Sequence, residues 1–187
     1  LELHSVYFGD ERSVVFNAVV TQPARRATLS MSKFTIPGDG ILRISGGIGT
    51  KEVEIKSSFT TEQVVSAIDC CRNYTGVFGS GASLYSQSYG SREFIRVEVV
   101  SGAYQGTSPL QATGQDIGVE LRTESVETES VEANGLHVQL NSKLLRGGFK
   151  FNPVPGPELG SHHSIGVRVS GLVFPPGSDG SGIGRMT

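Results

Sequence analysis

Hydrophobic and polar positions alternate along much of this chain, which is the pattern of short, half-buried strands. The period of two, which places apolar side chains on one face of a strand, is clearest in residues 41–45, 51–57 and 92–100. Other strand-like runs lie at 12–22, 25–31, 82–88, 117–123, 136–141, 148–152 and 164–172. We therefore expect a mainly β fold of the α+β type, built from small antiparallel sheets.

The segments between these runs indicate where the chain turns. Residues 46–50, with the sequence GGIGT, separate two alternating runs and predict a β-hairpin. A longer stretch rich in Gly, Ser and Thr, residues 102–114, predicts a loop or a boundary between lobes. The last residues, 173–187, have the composition of a linker.

Residues 59–79 have a different pattern and predict a helix. Thr60 and Gln63 have the spacing of a capping box, and Phe59 and Val64 have that of a hydrophobic staple. An apolar stripe at helical spacing comprises Val64, Val65, Ala67, Ile68 and Cys71. Gly76 is placed to end the helix. We expect one helix at about 60–75 that packs on a sheet.

Length, charge and hydrophobicity narrow the range of functions. The 187 residues suffice for one large domain or two small lobes. The formal net charge is −2, whereas binding to nucleic acid or to an anionic membrane calls for a concentrated basic patch. No apolar run reaches the roughly 20 residues of a membrane span. We expect neither nucleic acid nor a membrane among the partners.

The first residues of the chain do not predict a signal peptide. The chain begins with Leu1 rather than Met, and its first residues have neither the basic nor the long apolar region of a signal peptide. We interpret the sequence as a piece excised from a longer protein.

Cys70 and Cys71 are the only two cysteines and lie side by side in the predicted helix. Adjacent cysteines rarely pair with each other, and a structural zinc site needs four ligands, usually supplied as spaced pairs. We interpret both as free thiols, with Cys71 on the apolar stripe and Cys70 toward its edge.

Two further groups of polar residues could bind a metal. His162 and His163 could do so with Glu158, but no further His or Cys accompanies them, and His4 and His137 lie in strand-like surroundings. The acidic stretch 120–134 lacks the Asp/Asn/Gly pattern of a calcium loop. We interpret it as a solvated strand face that carries Glu120, Glu124, Glu127, Glu129 and Glu132.

No arrangement in the sequence predicts catalysis. The Gly-rich segments lack the phosphate-binding fingerprints, and no GxSxG elbow is present. Asn73, Tyr74 and Thr75 match an N-glycosylation acceptor triplet. We predict no catalytic, metal-binding or cofactor-binding residues and therefore no enzyme and no cofactor.

The order of elements in residues 41–80, ILRISGGIGTKEVEIKSSFTTEQVVSAIDCCRNYTGVFGS, resembles the flagellin IN motif. This motif is a strand–strand–helix–strand unit found in the outer parts of bacterial flagellins and filament-associated proteins. The matching positions are Ile44 to Gly46, Val53 to Ile55, Thr60 to Ile68 and Thr75 to Val77. Flanking blocks extend the similarity over most of residues 6–169 to the variable central region of some long flagellins, notably planctomycete-type ones.

The resemblance implies a structural, non-catalytic role. The chain would be the surface-exposed outer domain of a flagellar filament subunit that supports cell motility, outside the cell on the filament surface. Its partners would be neighbouring flagellin subunits. The long terminal helices that drive polymerisation of flagellins are missing from this sequence, so we expect the chain alone to be monomeric. The acidic segment 122–135 and the cysteine pair depart from the family pattern.

The resemblance also implies a domain organisation. The whole of 1–187 would be the outer region, with an IN-motif lobe at 35–108 and a second lobe formed by 1–34 together with 109–172. Residues 173–187 would be the linker.

Three other functions stay open. A hook-associated or filament-capping protein can also carry IN motifs. An adhesin or glycan-binding module would use aromatic platforms, for which the candidates are Tyr7, Tyr74, Tyr85 and Tyr89, although Trp is absent. An enzyme with a thiol or metal site would depend on the Cys70–Cys71 pair.

Overall fold

Strands dominate the computed structural model of the chain, and helices are few. The structure describes residues 2–6, 13–32, 34, 38–102, 109–122, 131–141, 145–151 and 162–168. The prediction of a mainly β, α+β fold with small antiparallel sheets is confirmed. The chain divides into two units, unit 1 formed by Leu1–Pro23 with Ile117–Thr187, and unit 2 formed by Ala24–Asp116.

The elements follow one another closely in the sequence. The strands are β1 (Glu2–Val6), β2 (Ser13–Gln22), β3 (Thr28–Ser30), β4 (Gly40–Gly46), β5 (Thr50–Ile55), β6 (Val77–Ser80), β7 (Ser83–Ser86), β8 (Phe94–Ser101), β9 (Leu110–Thr113), β10 (Gly118–Arg122), β11 (Val131–Asn134), β12 (His137–Asn141), β13 (Leu145–Lys150) and β14 (His162–Arg168). The helices are α1 (Thr61–Asp69) and α2 (Arg72–Thr75).

Unit 2 contains two antiparallel sheets, with strand orders β5-β4-β8-β9 and β3-β7-β6. The predicted hairpin is the β4–β5 pair, whose turn is closed by a hydrogen bond from the Gly46 N–H to the Gly49 carbonyl at 3.0 Å. Val53 and Ile55 are buried while Glu52 and Glu54 are exposed, as alternation along a half-buried strand requires.

Helix α1 begins as its sequence predicts. The Gln63 N–H donates to the Thr60 hydroxyl oxygen at 3.3 Å, and the Thr60 N–H donates to the Gln63 side-chain carbonyl at 2.8 Å. This reciprocal pair is the predicted capping box, and it satisfies two N–H groups that a helix start would otherwise leave unpaired. The side chains of Val64, Val65 and Ile68 are buried in the core of unit 2.

The predicted helical segment at 60–75 is confirmed and consists of two helices. Cys71 lies between them, and its N–H donates to the Ile68 carbonyl at 2.9 Å, which tightens the last turn of α1. Gly76 ends α2 with a φ of 73°, a left-handed conformation that glycine adopts without strain.

Unit 1 also contains two antiparallel sheets, with strand orders β1-β13-β12-β11 and β10-β2-β14. Its buried apolar side chains among the described residues are Val20, Ile117, Leu136, Val138 and Phe151. The rings of Phe149 and Phe151 meet edge to face, with centroids 5.3 Å apart.

One prediction about the loops is wrong. Residues 102–114 are not a loop throughout, because strand β9 occupies Leu110–Thr113 and pairs with β8. Leu110 and Ala112 pack against the core of unit 2, whereas Gln111 and Thr113 are exposed. The alternation is therefore present, but residues as small as Ala give it a weak hydrophobic signal.

Strands β1, β6 and β11 also lie outside the strand-like runs. The predicted lobe 35–108 lies within unit 2, and the predicted linker 173–187 lies outside the described residues. Within the described part of the chain, no helix is long and apolar enough to cross a membrane.

Candidate functional site

The cysteine pair lies at the junction of α1 and α2. Cys70 is exposed, and Cys71 is partly buried with its side chain against the core of unit 2. The Cys71 carbonyl accepts hydrogen bonds from the N–H groups of Tyr74 and Thr75, at 3.0 and 3.1 Å. These contacts give Cys71 a packing role. Among the described residues, no three His, Cys, Asp or Glu side chains come together as a group that could hold a metal ion.

The histidines and the acidic stretch are described only in part. His162 and His163 lie on β14, where they pair with Val19 and Ala18 of β2, and Glu158 lies outside the described residues. His137 on β12 is exposed, and His4 lies on β1.

The acidic stretch 120–134 is described at its two ends. Glu120 on β10 and Glu132 on β11 are exposed, as expected of a solvated strand face. The other carboxylates of the stretch, those of Glu124, Glu127 and Glu129, lie outside the described residues.

The glycosylation triplet is folded into helix α2. Asn73 is exposed, but Thr75 has no exposed surface. The Thr75 hydroxyl donates to the Cys71 carbonyl at 3.1 Å and accepts from the Val77 N–H at 3.1 Å. The hydroxyl is thus used in holding the exit from the helix.

Two carboxylates near the ends of α1 have lowered pKa values. Burial raises the pKa of the Asp69 carboxyl, but hydrogen bonds from the Gly79 N–H at 2.9 Å and from Arg72 at 2.8 Å lower it further than burial raises it. A hydrogen bond from its own backbone N–H and another from the Thr60 side chain lower the pKa of the Glu62 carboxyl. Asp69 thus links the end of α1 to Gly79 of β6 and to Arg72 of α2, whereas Glu62 acts within the first turn of the helix.

A group of cationic and aromatic side chains surrounds an open depression on unit 2, which we call the Arg–Tyr depression. Its volume is about 590 Å³, and it is lined by Ala24, Arg25, Arg26, Thr28, Tyr85, Tyr89, Thr113, Gly114 and Gln115. These residues come from the segment around β3, from the end of β7 and from β9, so the depression forms only when unit 2 is folded.

Arg26 forms a rigid wall of the Arg–Tyr depression. One guanidinium nitrogen donates to the Ser86 carbonyl at 2.9 Å and to the Gln87 carbonyl at 2.7 Å. The guanidinium carbon lies 4.6 Å from the centroid of the Tyr89 ring and 5.4 Å from that of Phe78. Hydrogen bonds and ring contacts therefore fix the position of this charge.

Phe78 contacts two of the residues that line the depression, Arg26 and Tyr85. Its ring stacks on that of Tyr85 with centroids 5.5 Å apart, and the Arg72 guanidinium lies 5.2 Å from its centroid. Phe78 thus contacts Tyr85, Arg26 and Arg72, and these contacts limit the motion of the Tyr85 ring.

Arg25 holds its place through the backbone. Its N–H donates to the Gln115 carbonyl at 2.8 Å, and its own carbonyl accepts from the N–H groups of Gln115, at 2.9 Å, and Gly90, at 3.2 Å. The residue is exposed and is among those that line the depression. The charge of Arg25 is therefore available to a ligand.

The sequence pointed to this site only in part. Tyr85 and Tyr89, two of the four tyrosines considered as aromatic platforms, lie together in the Arg–Tyr depression. Tyr74 is elsewhere, 63% exposed, with the Lys51 ammonium 5.3 Å from its ring centroid. Tyr7 lies outside the described residues. Arg25 and Arg26 were not identified as site residues from the sequence. The signal that could have indicated them is that two arginines follow one another just before a short strand.

Comparison with known proteins finds likeness at the level of structure. No family model and no curated protein matches the chain. The chain is similar to the D2-D3 domains of the flagellar cap protein FliD from Escherichia coli, with 13% identity, 88% of this chain and 92% of that chain covered, and a TM-score of 0.46. For the same domains from Serratia marcescens the identity is 15%, the coverage 86% and 97%, and the TM-score 0.46. For FliD from Bdellovibrio bacteriovorus the identity is 16%, 64% of this chain and 79% of that chain are covered, and the TM-score is 0.37.

Proposed function

We propose that this chain is a structural, non-catalytic domain of a bacterial flagellar protein, namely the outer domain of a flagellin on the filament surface. The proposal is carried by one observation. The segment that resembles the IN motif, residues 41–80, spans most of β4 and then β5, α1, α2 and β6 in the strand–strand–helix–strand order of that motif. Its apolar positions supply much of the core of unit 2, so the resemblance rests on residues that the fold needs.

The proposal assigns packing roles to the residues that first suggest chemistry. Cys71 packs against the core, and the Thr75 hydroxyl bonds to the backbone at the end of α2. On this basis the chain performs no reaction, lies outside the cell and contacts neighbouring flagellin subunits. We expect the isolated chain to sediment as a monomer.

A domain of a filament-capping or hook-associated protein is the second candidate, because such proteins also carry IN motifs. The solved structures described above are of capping proteins, but likenesses with TM-scores below 0.5 do not separate the two candidates.

Immunogold electron microscopy separates these candidates. An antibody raised against residues 1–187 would be applied to flagella of the organism that encodes the chain, with a gene-deletion strain as the control for specificity. Labelling along the filament supports the flagellin proposal. Labelling confined to the filament tip or the hook junction supports the second candidate, and labelled cells with bare flagella would contradict both.

The non-catalytic proposal has its own test in the cysteines. The double variant Cys70→Ser/Cys71→Ser should leave swimming speed and filament length unchanged, since neither thiol is required for a reaction. Circular dichroism would first establish that the variant is folded. Loss of a measurable activity in a folded variant would show that the thiols have a chemical role.

A further inference from the structure

We propose that the Arg–Tyr depression is a binding site for an acidic saccharide, a sugar unit that carries a carboxylate. The site is independent of the flagellar proposal, because it depends only on the side chains of unit 2. If the saccharide proposal fails, the proposed structural role in the flagellum is unaffected. If the structural role fails, the saccharide proposal is likewise unaffected.

The charge of the lining favours an anion. The nine lining residues include two arginines and no aspartate or glutamate, although the chain as a whole has a net charge of −2. Arg25 is exposed and its backbone is fixed by Gln115 and Gly90. An exposed guanidinium on a fixed backbone can reach a carboxylate and pair with it through two parallel N–H donors.

The remaining lining side chains favour a sugar over other anions. Hydroxyl groups come from Thr28, Tyr85, Tyr89 and Thr113, and each can both donate to and accept from the hydroxyls of a sugar. The two tyrosine rings add flat apolar surface, which suits the C–H faces of a pyranose ring. Ala24 is the one aliphatic side chain in the lining, so an acidic peptide would find no recess for neighbouring apolar side chains.

The site is formed before a ligand arrives. Arg26 is bonded to two carbonyl groups and packed on the Tyr89 ring, and Tyr85 is stacked on Phe78. Side chains that are already ordered lose little conformational entropy on binding. Binding to a single acidic sugar should therefore be measurable even though the depression is open and shallow.

The first experiment is an NMR titration of the ¹⁵N-labelled chain with two acidic probes, 3′-sialyllactose and trigalacturonic acid, and with lactose as a neutral control. We expect at least one acidic probe to shift the amide signals of residues 24–28, 85–89 and 113–115, with a dissociation constant of about 1 mM. Lactose should bind about tenfold more weakly, because it lacks the carboxylate that pairs with Arg25.

The second experiment compares two substitutions that each remove one positive charge, one in the depression and one outside it. Arg25→Gln should weaken binding of the acidic probe about tenfold and leave lactose binding unchanged. Lys51→Gln removes one positive charge beside Tyr74, outside the depression, and should leave both affinities unchanged apart from a small long-range effect. Unchanged amide signals away from each substitution would establish that both variants are folded.

Four results would overturn the proposal. The first is no binding of either acidic probe at about 10 mM, and the second is binding of lactose as tight as that of the acidic probes. The third is an equal loss of affinity for the acidic probe in Arg25→Gln and Lys51→Gln. The fourth comes from a titration with triglutamate, an acidic peptide, if it binds at the same residues more tightly than the sugars do. The last result would assign the depression to an acidic peptide instead.

Discussion

Unit 2 and unit 1 each contain two small antiparallel sheets, but in the described residues only unit 2 also packs a helix against its core. Unit 2 has one continuous core of 14 buried residues, three of them supplied by α1. In unit 1 the buried apolar side chains that the structure describes, Val20, Ile117, Leu136, Val138 and Phe151, lie on strands or next to them. Val64, Val65 and Ile68 lie on one face of α1, which packs against β5 and β6. We therefore expect the stability of unit 2 to depend on the packing of α1 as well as on strand pairing.

The largest effect is expected in the core of unit 2. Ile44 has no exposed surface, and Ile44→Ala should lower the free energy of unfolding by about 2–5 kcal/mol, because it removes buried methyl groups and leaves a cavity. Ile48 is 61% exposed in the adjacent turn, so Ile48→Ala should change the free energy of unfolding by less than about 0.5 kcal/mol. Urea unfolding measures both. Similar losses would contradict the burial pattern.

A matched pair of valines tests whether the two units are energetically separate. Val97 in unit 2 and Val138 in unit 1 are both strand residues with 1% exposed surface. Substitution of either by Ala should cost about 1–3 kcal/mol. Amide hydrogen exchange should show loss of protection in the substituted unit alone. Loss of protection in both units from either substitution would show that they unfold together.

The cap of α1 should contribute less than the core. Thr60→Ala removes the hydroxyl that accepts from the Gln63 N–H and should destabilise unit 2 by about 1 kcal/mol. Thr60→Asp keeps an acceptor at the same position and should retain most of the stability. Thermal unfolding of the two variants measures the difference. If they are equally destabilised, the capping box does not stabilise the helix.

The smallest effect is expected on the pH dependence of stability, through the carboxyl of Asp69. Burial raises the pKa of Asp69, but its bonds from Gly79 and Arg72 leave that pKa below its ordinary value. The folded state therefore binds fewer protons than the unfolded state, and the resulting stability is complete above pH about 4 and is lost as the pH falls through the folded pKa.

Asp69→Asn keeps an acceptor for the Gly79 N–H but removes the charge. It should cost less than about 1 kcal/mol at pH 7, since the ion pair with Arg72 is partly exposed. Its stability should fall less than that of the original chain between pH 5 and pH 2, about the range in which aspartate titrates. Urea unfolding across this range measures both. An unchanged acid response would show that Asp69 does not contribute to it.

The sequence predicted those features that depend on neighbouring residues. The capping box of Thr60 and Gln63, the buried face of α1 and the β4–β5 hairpin each depend on contacts within a few residues, and all are present. Strand β9 was missed, because Ala112 and Thr113 give little hydrophobic contrast. Local patterns therefore located most elements but not every strand.

The arrangement of the strands into four sheets and the Arg–Tyr depression could not be predicted in this way. Arg26 bonds to carbonyl groups of Ser86 and Gln87, 60 and 61 residues away in the sequence. Arg25 forms an isolated bridge with Gln115. Pairings over such distances depend on the whole fold, and alternation of apolar residues carries no information about which strands meet.

Because the Thr75 hydroxyl is buried, we expect N-glycosylation of Asn73 to require that the sugar is transferred before the chain folds. A transferase that reads an asparagine together with the hydroxyl two residues later finds both groups only while the chain is unfolded, because folding commits the Thr75 hydroxyl to Cys71 and Val77. We expect intact-mass analysis to show modification of the denatured chain and none of the folded chain. The order of folding and transfer, more than the presence of the triplet, would then decide whether this surface carries a sugar.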